Sequence, residues 1–151
     1  MATLHHINQS AHSSASPAAI YAILLDRPTW PSWSPLESFE HGSDGCDGPN
    51  SLGAIGTFVT GRTRSREELV ELIPGRRVSS RLLSGLPLHD YRADVELSPA
   101  EAGAGTDICW HSTFHARFGT GWAYRFALGR FIRRCVRALA AEAGKREAVL
   151  C

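Results

Sequence analysis

The stretch SGLPLHDYRADVELSP, residues 84–99, alternates regularly from its sixth position onward. One side of the alternation is charged or polar. The other side is mostly apolar and comprises His89, Tyr91, Ala93, Val95 and Leu97. A period of two is typical of a strand with one buried and one solvent-exposed face. We therefore predict a strand over 89–98 whose buried face begins with two hydrogen-bonding side chains.

Similar short runs of alternating or β-branched residues occur along most of the chain. Segments rich in Gly, Pro, Asp and Asn separate them, and the longest such segment, 42–56, is predicted to be a loop. The runs predict strands at 3–13, 36–41, 57–62, 66–73, 78–84 and 106–116.

The helical signals are of a different kind. Ser16 followed by Pro17 predicts an N-cap and a first helical residue, so a short helix is expected over 17–26. The Pro- and Trp-rich segment 27–37 predicts a second, very short helix. From Gly121 a stripe at helical spacing predicts a final helix of about six turns; its members are Tyr124, Leu128, Phe131, Ile132, Cys135 and Leu139.

Successive strands closed by one long helix favour an α+β fold with the helix packed on one face of the sheet. The 151 residues suit one domain, 1–151, and 43% hydrophobic residues are ordinary for a globular protein. A net charge of +1 argues against a general nucleic-acid or membrane binder. No apolar run approaches the length needed to cross a bilayer, so stable membrane insertion is not expected. Homodimer formation is left open.

Cofactor and compartment expectations rest on missing motifs. The glycine-containing segments match neither a P-loop nor a dinucleotide fingerprint, so no cofactor is expected. The N-terminal residues lack the pattern of a secretory signal, which favours the cytoplasm. In that compartment the four widely spaced cysteines, Cys46, Cys109, Cys135 and Cys151, are expected to be reduced.

Several segments together resemble the SRPBCC superfamily, the START-like helix-grip fold, and within it the polyketide cyclase/dehydrase-like branch. They are SPAAIYAILLDRPTWPSWSPL, GAIGTF, REELVELIPGRRV, SGLPLHDYRADVELSP and GTDICWHSTFHARFGTG, in that order. The resemblance implies a curved antiparallel sheet of about six to seven strands wrapped around the C-terminal helix. Two short helices would follow the first strand, and a deep apolar cavity would lie between sheet and helix. It does not fix the chemistry, because one fold supports many functions.

Three residues are candidates for catalysis. His89 and Tyr91 leave the same face of their predicted strand and could orient a carbonyl or move a proton if that face lines a cavity. The alternative places His89 in water at the sheet rim and Tyr91 in the core. Glu67 could act as a general acid or base if its strand face is inward, because burial would raise its pKa. The alternative is a solvated carboxylate paired with an arginine.

Aromatic and apolar residues at inward-facing positions are candidates for ligand contact. On the predicted strand 106–116, one face carries Ile108, Trp110, Ser112 and Phe114, and the helix stripe would lie opposite. The same residues could instead form a solid core. The predicted ligand-binding residues are Trp30, Trp33, Phe58, Leu69, Trp110, Ser112, Phe114, Tyr124, Leu128 and Phe131.

Two other groups of residues have ordinary structural interpretations. Cys109, His111 and His115 share the opposite strand face, and the Cα atoms of the two histidines would be about 13 Å apart, which is too far for one metal ion. The arginines of the last helix could dock on anionic lipid, but a solvated face fits the small net charge better.

The sequence therefore predicts binding of a hydrophobic small molecule between sheet and helix. One form of this function is a cyclase/dehydrase-like enzyme that folds a polyketide-like or aromatic substrate into a reactive shape without a metal or nucleotide. An alternative is a non-catalytic carrier or sensor of a lipid, quinone or aromatic metabolite. A third is an interaction module that uses the basic helix and the 42–56 loop.

Overall fold

The computed structural model describes residues 3–101 and 103–150. Strands and helices follow one another in the predicted order, and the fold class is the predicted helix-grip α+β fold. The elements are β1 (Thr3–Ser13), α1 (Pro17–Leu25), a 3₁₀ helix (Arg27–Ser32), β2 (Ser38–Ser43), β3 (Ile55–Thr60), β4 (Thr63–Ile73), β5 (Arg77–Ser84), β6 (Leu88–Pro99), β7 (Thr106–Ala116) and α2 (Gly121–Leu150).

The seven strands form one antiparallel sheet in the order β1-β7-β6-β5-β4-β3-β2. The segment β2 to β7 is therefore a meander, and the first strand is added beside the last. Ile7 of β1 pairs with Ser112 of β7, for example, and both are buried. The first and last strands, β1 and β7, therefore lie side by side, and α2 packs against both of them.

Alternation decides which strand residues reach the core. In β7 every second residue from Thr106 to Ala116 is buried, including Ile108, Trp110 and Phe114. The intervening residues remain partly exposed, so the predicted inner and outer faces of this strand are confirmed. The inner face turns towards α2, which contacts β1 and β7.

Helix α1 begins and packs as the sequence predicts. The Ser16 hydroxyl accepts a hydrogen bond from the Ala19 backbone N–H at 3.2 Å, and a proline occupies the first turn. Capping of this kind satisfies a backbone donor that has no partner within the helix. The apolar side of the helix, Ile20, Ile23 and Leu24, is buried against the core.

Helix α2 is 30 residues long, which exceeds the six turns predicted from the stripe. Its predicted apolar stripe is confirmed: Ile132, Cys135 and Leu139 are buried, and Tyr124, Leu128 and Phe131 are partly buried. The arginines at positions 125, 130, 133, 134 and 137 are exposed. The Ser13 hydroxyl donates to the Ala140 carbonyl at 2.8 Å and helps to fix the helix over β1.

A register shift in β6 makes the predicted inward placement of His89 wrong and agrees with the alternative, in which His89 lies in water. The pairing of β6 with β7 shifts between His89 and Arg92, and Asp90 has a left-handed φ of 53°. Such an irregularity changes the face to which neighbouring side chains point. His89 is consequently exposed, whereas Leu88 and Tyr91 are buried.

Some predicted boundaries also differ from the structure. β2 and β3 are offset by two residues from the predicted segments 36–41 and 57–62, and β4 begins at Thr63, directly after a turn at Gly61 with φ of 58°. Cys46, Cys109 and Cys135 are free thiols. Cys151 lies outside the described residues.

Candidate functional site

A cavity of about 310 Å³ lies between the inner face of the sheet and α2. This volume is at the lower end of the range of about 300–1,000 Å³ that is typical of small-molecule sites. Most of the lining is apolar, and its core consists of Leu24, Trp30, Leu36, Phe58, Leu69, Val78, Ala93, Val95, Trp110, Phe131 and Ile132. A hydrophobic molecule would find few competing polar contacts on these walls.

Partly or fully exposed lining residues form a group at one end of the cavity. They come from the β3–β4 turn, the β5–β6 turn and the first half of α2, and comprise Thr60, Thr63, Leu86, Tyr124, Ala127 and Leu128. Gly85 allows the β5–β6 turn to reach this end, because its φ is 113° and a Cβ there would lie 1.9 Å from the Arg64 carbonyl oxygen. We therefore locate the cavity mouth between these two turns and α2.

Two ionisable side chains of opposite charge line the cavity. Arg27, from the 3₁₀ helix, is only 2% exposed. Glu67, from β4, lies four residues beyond Thr63, about 13 Å further along an extended strand. Glu67 is partly exposed, and it lines the cavity. The inward face of the first half of β4 is thus the Glu67 face.

Burial dominates the ionisation of both groups. Desolvation raises the pKa of Glu67 to about 7, against the opposing effect of the positive charge of Arg27. Desolvation lowers the pKa of Arg27, and the Glu67 carboxylate counteracts it. The two charges interact through space, because none of the three Arg27 side-chain nitrogens has a hydrogen-bond partner among the described residues. A neutral or ionised Glu67 is therefore accessible near pH 7.

Tyr91 and Cys135 face the same cavity. The Tyr91 hydroxyl lies 3.1 Å from the Ser112 hydroxyl, so one of them donates to the other. Burial, together with the nearby Glu67 carboxylate, raises the pKa of the Tyr91 phenol, and burial also raises the pKa of the Cys135 thiol. Both groups therefore stay protonated near neutral pH. Tyr91 can donate a hydrogen bond, whereas Cys135 lacks the thiolate that a nucleophile needs.

Aromatic rings form one wall of the cavity. The Trp30 ring stacks on Phe58 with centroids 4.8 Å apart and meets Trp110 edge-on at 5.8 Å. The Trp30 indole donates to the Leu24 carbonyl at 3.2 Å, which fixes its orientation. The Trp110 indole N–H is buried with no hydrogen-bond partner among the described residues. This wall offers flat apolar surface and one free donor.

The structure brings most of the predicted site residues to this cavity. The lining includes Glu67, Tyr91, Trp30, Phe58, Leu69, Trp110, Tyr124, Leu128 and Phe131. Their roles stay predictions.

Four predicted site residues do not line the cavity. His89 is exposed because of the shift in β6. Phe114 is fully buried and stacks on His5 at 5.2 Å, and Trp33 packs against Trp30 at 5.4 Å. Ser112 is covered by the Tyr91 hydroxyl that it contacts. Inward direction alone therefore does not make a residue part of the wall.

Arg27 is the charged residue of the cavity lining that the sequence did not predict. Arginine is rarely buried without a partner, so a lone arginine between a helix and a proline is ordinarily interpreted as a surface residue. Only the fold shows that this position is enclosed. The short 3₁₀ helix carries Arg27 and Trp30 into the same closed part of the cavity.

Other parts of the described chain show no ion site or membrane segment. Within residues 3–101 and 103–150, no three His, Cys, Asp or Glu side chains are grouped as metal ligands. His111 lies on the outer face, with its Nε2 atom 3.6 Å from a Glu96 oxygen. No helix of that part combines the length and apolar character needed to cross a bilayer.

The sequence matches the family model described as polyketide cyclase/dehydrase and lipid transport over residues 5–144. The chain belongs to this family. Its helix-grip fold agrees with the SRPBCC superfamily. No curated protein sequence shows significant similarity to the chain.

Solved structures with the same fold are distant in sequence. A Nitrosospira multiformis protein has 16% identity and a TM-score of 0.77, and the alignment covers 95% of this chain and 99% of that one. A Thermobifida fusca protein has 20% identity and a TM-score of 0.77, with 93% of each chain covered. Ara h 8.0201 has 13% identity and a TM-score of 0.74, with 93% and 98% covered. At such low sequence identities, the similarity shows that this protein and the three solved structures share a fold.

The arrangement permits two kinds of chemistry. The apolar walls can bind a hydrophobic molecule and exclude water from it. Within those walls, a carboxyl with a pKa near 7 and a protonated phenol can hold or move a proton at the ligand.

Proposed function

We propose that this family member binds a hydrophobic small molecule in the cavity between its sheet and α2. The observation that carries the proposal is the enclosed apolar cavity, whose aromatic wall of Trp30, Phe58 and Trp110 suits a flat or long molecule. Family membership supports it, because the family description includes lipid transport and polyketide conversion. The cavity has one accessible end through which a ligand could enter.

Native mass spectrometry of the purified protein, followed by analysis of its organic extract, tests this proposal. A bound molecule should appear as a discrete mass increment and be recovered in the extract. In parallel, the neutral fluorescent probe N-phenyl-1-naphthylamine should bind and brighten. If neither a co-purified ligand nor probe binding is found, the proposal is wrong.

A matched pair of helix variants locates the binding. Ala127→Trp adds an indole at the cavity wall, whereas Ala148→Trp adds the same group at an exposed position near the end of α2. Losing about 60 Å² of apolar contact costs about 1.5 kcal/mol, or about tenfold in probe affinity. We expect this loss for Ala127→Trp and less than a twofold change for Ala148→Trp. Equal effects would place the probe elsewhere.

Glu67 supports a second, more specific function, a cyclase/dehydrase-like reaction. A carboxyl with a pKa near 7 can remove a proton next to a ketone and return it to a leaving hydroxyl group. Tyr91 would donate a hydrogen bond to the ketone oxygen as negative charge develops there. The cavity would hold the substrate in a reactive shape. A carrier or sensor uses the same cavity without turnover.

Dehydration of a β-hydroxy ketone that carries a phenyl group separates enzyme from carrier. The reaction releases water and forms a conjugated enone, which is followed by its absorbance. If Glu67 is the base, Glu67→Gln should retain binding and lose at least about 100-fold in turnover. Tyr91→Phe should lose less. His89→Ala is the control, because His89 is exposed. Binding without turnover in the wild type would favour the carrier.

We also propose, from the sequence, a cytoplasmic location. Homodimer formation is a second possibility that the sequence leaves open. Cell fractionation tests the first, with recovery in the membrane pellet as the contradicting result. Sedimentation velocity at two concentrations tests the second. Nucleic-acid binding is not expected, and a mobility-shift assay with single- and double-stranded DNA checks this.

A further inference from the structure

Arg27 is a buried cation in a cavity that can accept a ligand. Its side chain is 2% exposed, it lines the cavity, and its Nε, Nη1 and Nη2 atoms are all unpartnered among the described residues. We propose that the cavity is a binding site for amphipathic monocarboxylates, whose carboxylate pairs with Arg27. The inference rests on the proposed function and names its ligand class.

The protein itself gives Arg27 little compensation. The guanidinium carbon lies 5.2 Å from the centroid of the Phe39 ring, a cation–π contact that uses none of the N–H donors. A planar guanidinium presents five N–H groups in a fixed fork that matches the two oxygens of a carboxylate. The missing partner is therefore an acceptor with the geometry of a carboxylate, located in the cavity.

Glu67 does not fill this role. It acts on Arg27 through space without accepting a hydrogen bond from it. Near neutral pH it can become protonated, and a neutral carboxyl does not repel an incoming anion. The other ionisable groups that face Glu67 are Tyr91 on β6 and Cys135 on α2, and both stay uncharged. The enclosed charge is then that of one guanidinium.

The remaining lining sets the rest of the ligand. A single positive charge is balanced by a monoanion, whereas a phosphate dianion would leave an excess negative charge in the apolar interior. Around the charge, Trp30, Phe58 and Trp110 offer flat apolar surface. The matching molecule has one carboxylate inserted deep in the cavity and an apolar body extending towards the mouth.

Isothermal titration with two matched pairs of compounds tests the proposal. The pairs are decanoate with decanamide and 2-naphthoate with 2-naphthamide, which differ in charge but hardly in shape. Each carboxylate should bind at least about tenfold more tightly than its amide. Arg27→Met should weaken carboxylate binding by about 100-fold and amide binding by less than threefold, as expected for loss of a buried charge pair.

Further variants separate this effect from a general loss of structure. Arg27→Gln also removes the charge and should behave as Arg27→Met does, while Arg27→Lys should restore part of the carboxylate preference. Arg62→Met removes a charge from the exposed β3–β4 turn. This variant should not change the affinity for the carboxylates or for the amides. Circular dichroism of each variant confirms folding before titration.

The outcomes distinguish the two proposals. If amides bind as tightly as carboxylates and Arg27→Met has no effect, the cavity binds hydrophobic molecules but the carboxylate inference is wrong. If none of the four compounds binds but N-phenyl-1-naphthylamine does, the carboxylate inference is wrong and the proposal of hydrophobic binding stands. A further arm uses pH: carboxylate affinity should fall above pH 7 as Glu67 ionises, and this fall should disappear in Glu67→Gln. A persistent fall in that variant would contradict the assigned geometry.

Discussion

Charged residues have different surroundings on the two faces of the sheet, and strand β4 carries one glutamate on each face. Glu71 lies on the outer face, where Arg77 donates to it at 2.8 Å and Arg92 at 3.2 Å. Glu67, four residues earlier on the same strand, faces the cavity and interacts with Arg27 only through space. The outer carboxylate is paired twice, whereas the inner one has no such partner within residues 3–101 and 103–150.

An irregularity in the pairing of β4 with β5 accompanies this difference. The register shifts between Leu69 and Glu71. In a regular strand Glu67, Leu69 and Glu71 would share one face, as the sequence pattern alone suggests. The extra residue lets Leu69 and Glu67 stay inside while Glu71 points outward.

The comparison separates paired charges, which stabilise the fold, from buried charges without hydrogen bonds, which do not. Paired, partly exposed charges contribute modestly to stability. Buried charges without hydrogen bonds reduce it, because desolvation is not compensated. The charges of Arg27 and Glu67, which lack such compensation, are the basis of the ligand and the reaction proposed above.

The largest expected effect is at the inner carboxylate. The Glu67 pKa is about 7 in the folded protein and has an ordinary value of 4.5 in the unfolded chain. The folded state thus holds the proton more tightly, and stability is lost as the pH rises from 4.5 to 7. Glu67→Gln should raise the free energy of unfolding at pH 8 by about 3 kcal/mol, at about 1.4 kcal/mol per pKa unit.

Urea unfolding at two pH values measures this effect. At pH 5 the gain from Glu67→Gln should shrink to below about 1 kcal/mol, because the carboxyl is then largely protonated in the folded protein. Glu71→Gln is the control on the same strand. It removes a paired carboxylate and should lower stability slightly at pH 8. A gain in both variants would abolish the distinction between the two faces.

The inner cation should give the next largest effect. Arg27→Met keeps an apolar stem and removes an uncompensated charge, so the free energy of unfolding at pH 5.5 should rise by about 1–2 kcal/mol. The Phe39 contact offsets part of the gain. At pH 8 the gain should be smaller, because an ionised Glu67 loses its positive neighbour.

A double-mutant cycle with Glu67→Gln isolates that interaction. The coupling energy between the two positions should be present at pH 8 and vanish at pH 5.5. If Arg27→Met instead lowers the free energy of unfolding by more than about 1 kcal/mol at pH 5.5, Arg27 has a stabilising partner. The charges on the inner face would then be compensated like those on the outer face.

The sequence predicted the fold and the cavity walls better than the polar groups inside. Period-two alternation placed Trp110 inward, and the apolar stripe placed Phe131 and Cys135 towards the sheet, because these patterns directly report burial. The residues that depart from a pattern were harder. His89 was misplaced because a local shift in register has no clear signature in one sequence.

Arg27 could not have been found from the sequence for a related reason. Its burial depends on how a short 3₁₀ helix packs against strands far away in the chain, near Phe39 and Glu67. Residue type and local spacing carry no information about that packing. The strongest functional indication in the molecule therefore emerges only when distant segments are brought together.

The smallest expected effect is on the outer face and tests the other half of the comparison. Arg77 donates to both Glu71 and Glu96 in a partly exposed cluster. Arg77→Met should lower the free energy of unfolding by about 0.5–1 kcal/mol at low salt, and about 1 M NaCl should remove at least half of that loss by screening. The gain from Arg27→Met should persist in salt, because mobile ions do not reach the enclosed charge. Equal salt dependence would mean that the cavity side of the sheet is as solvated as the outer side.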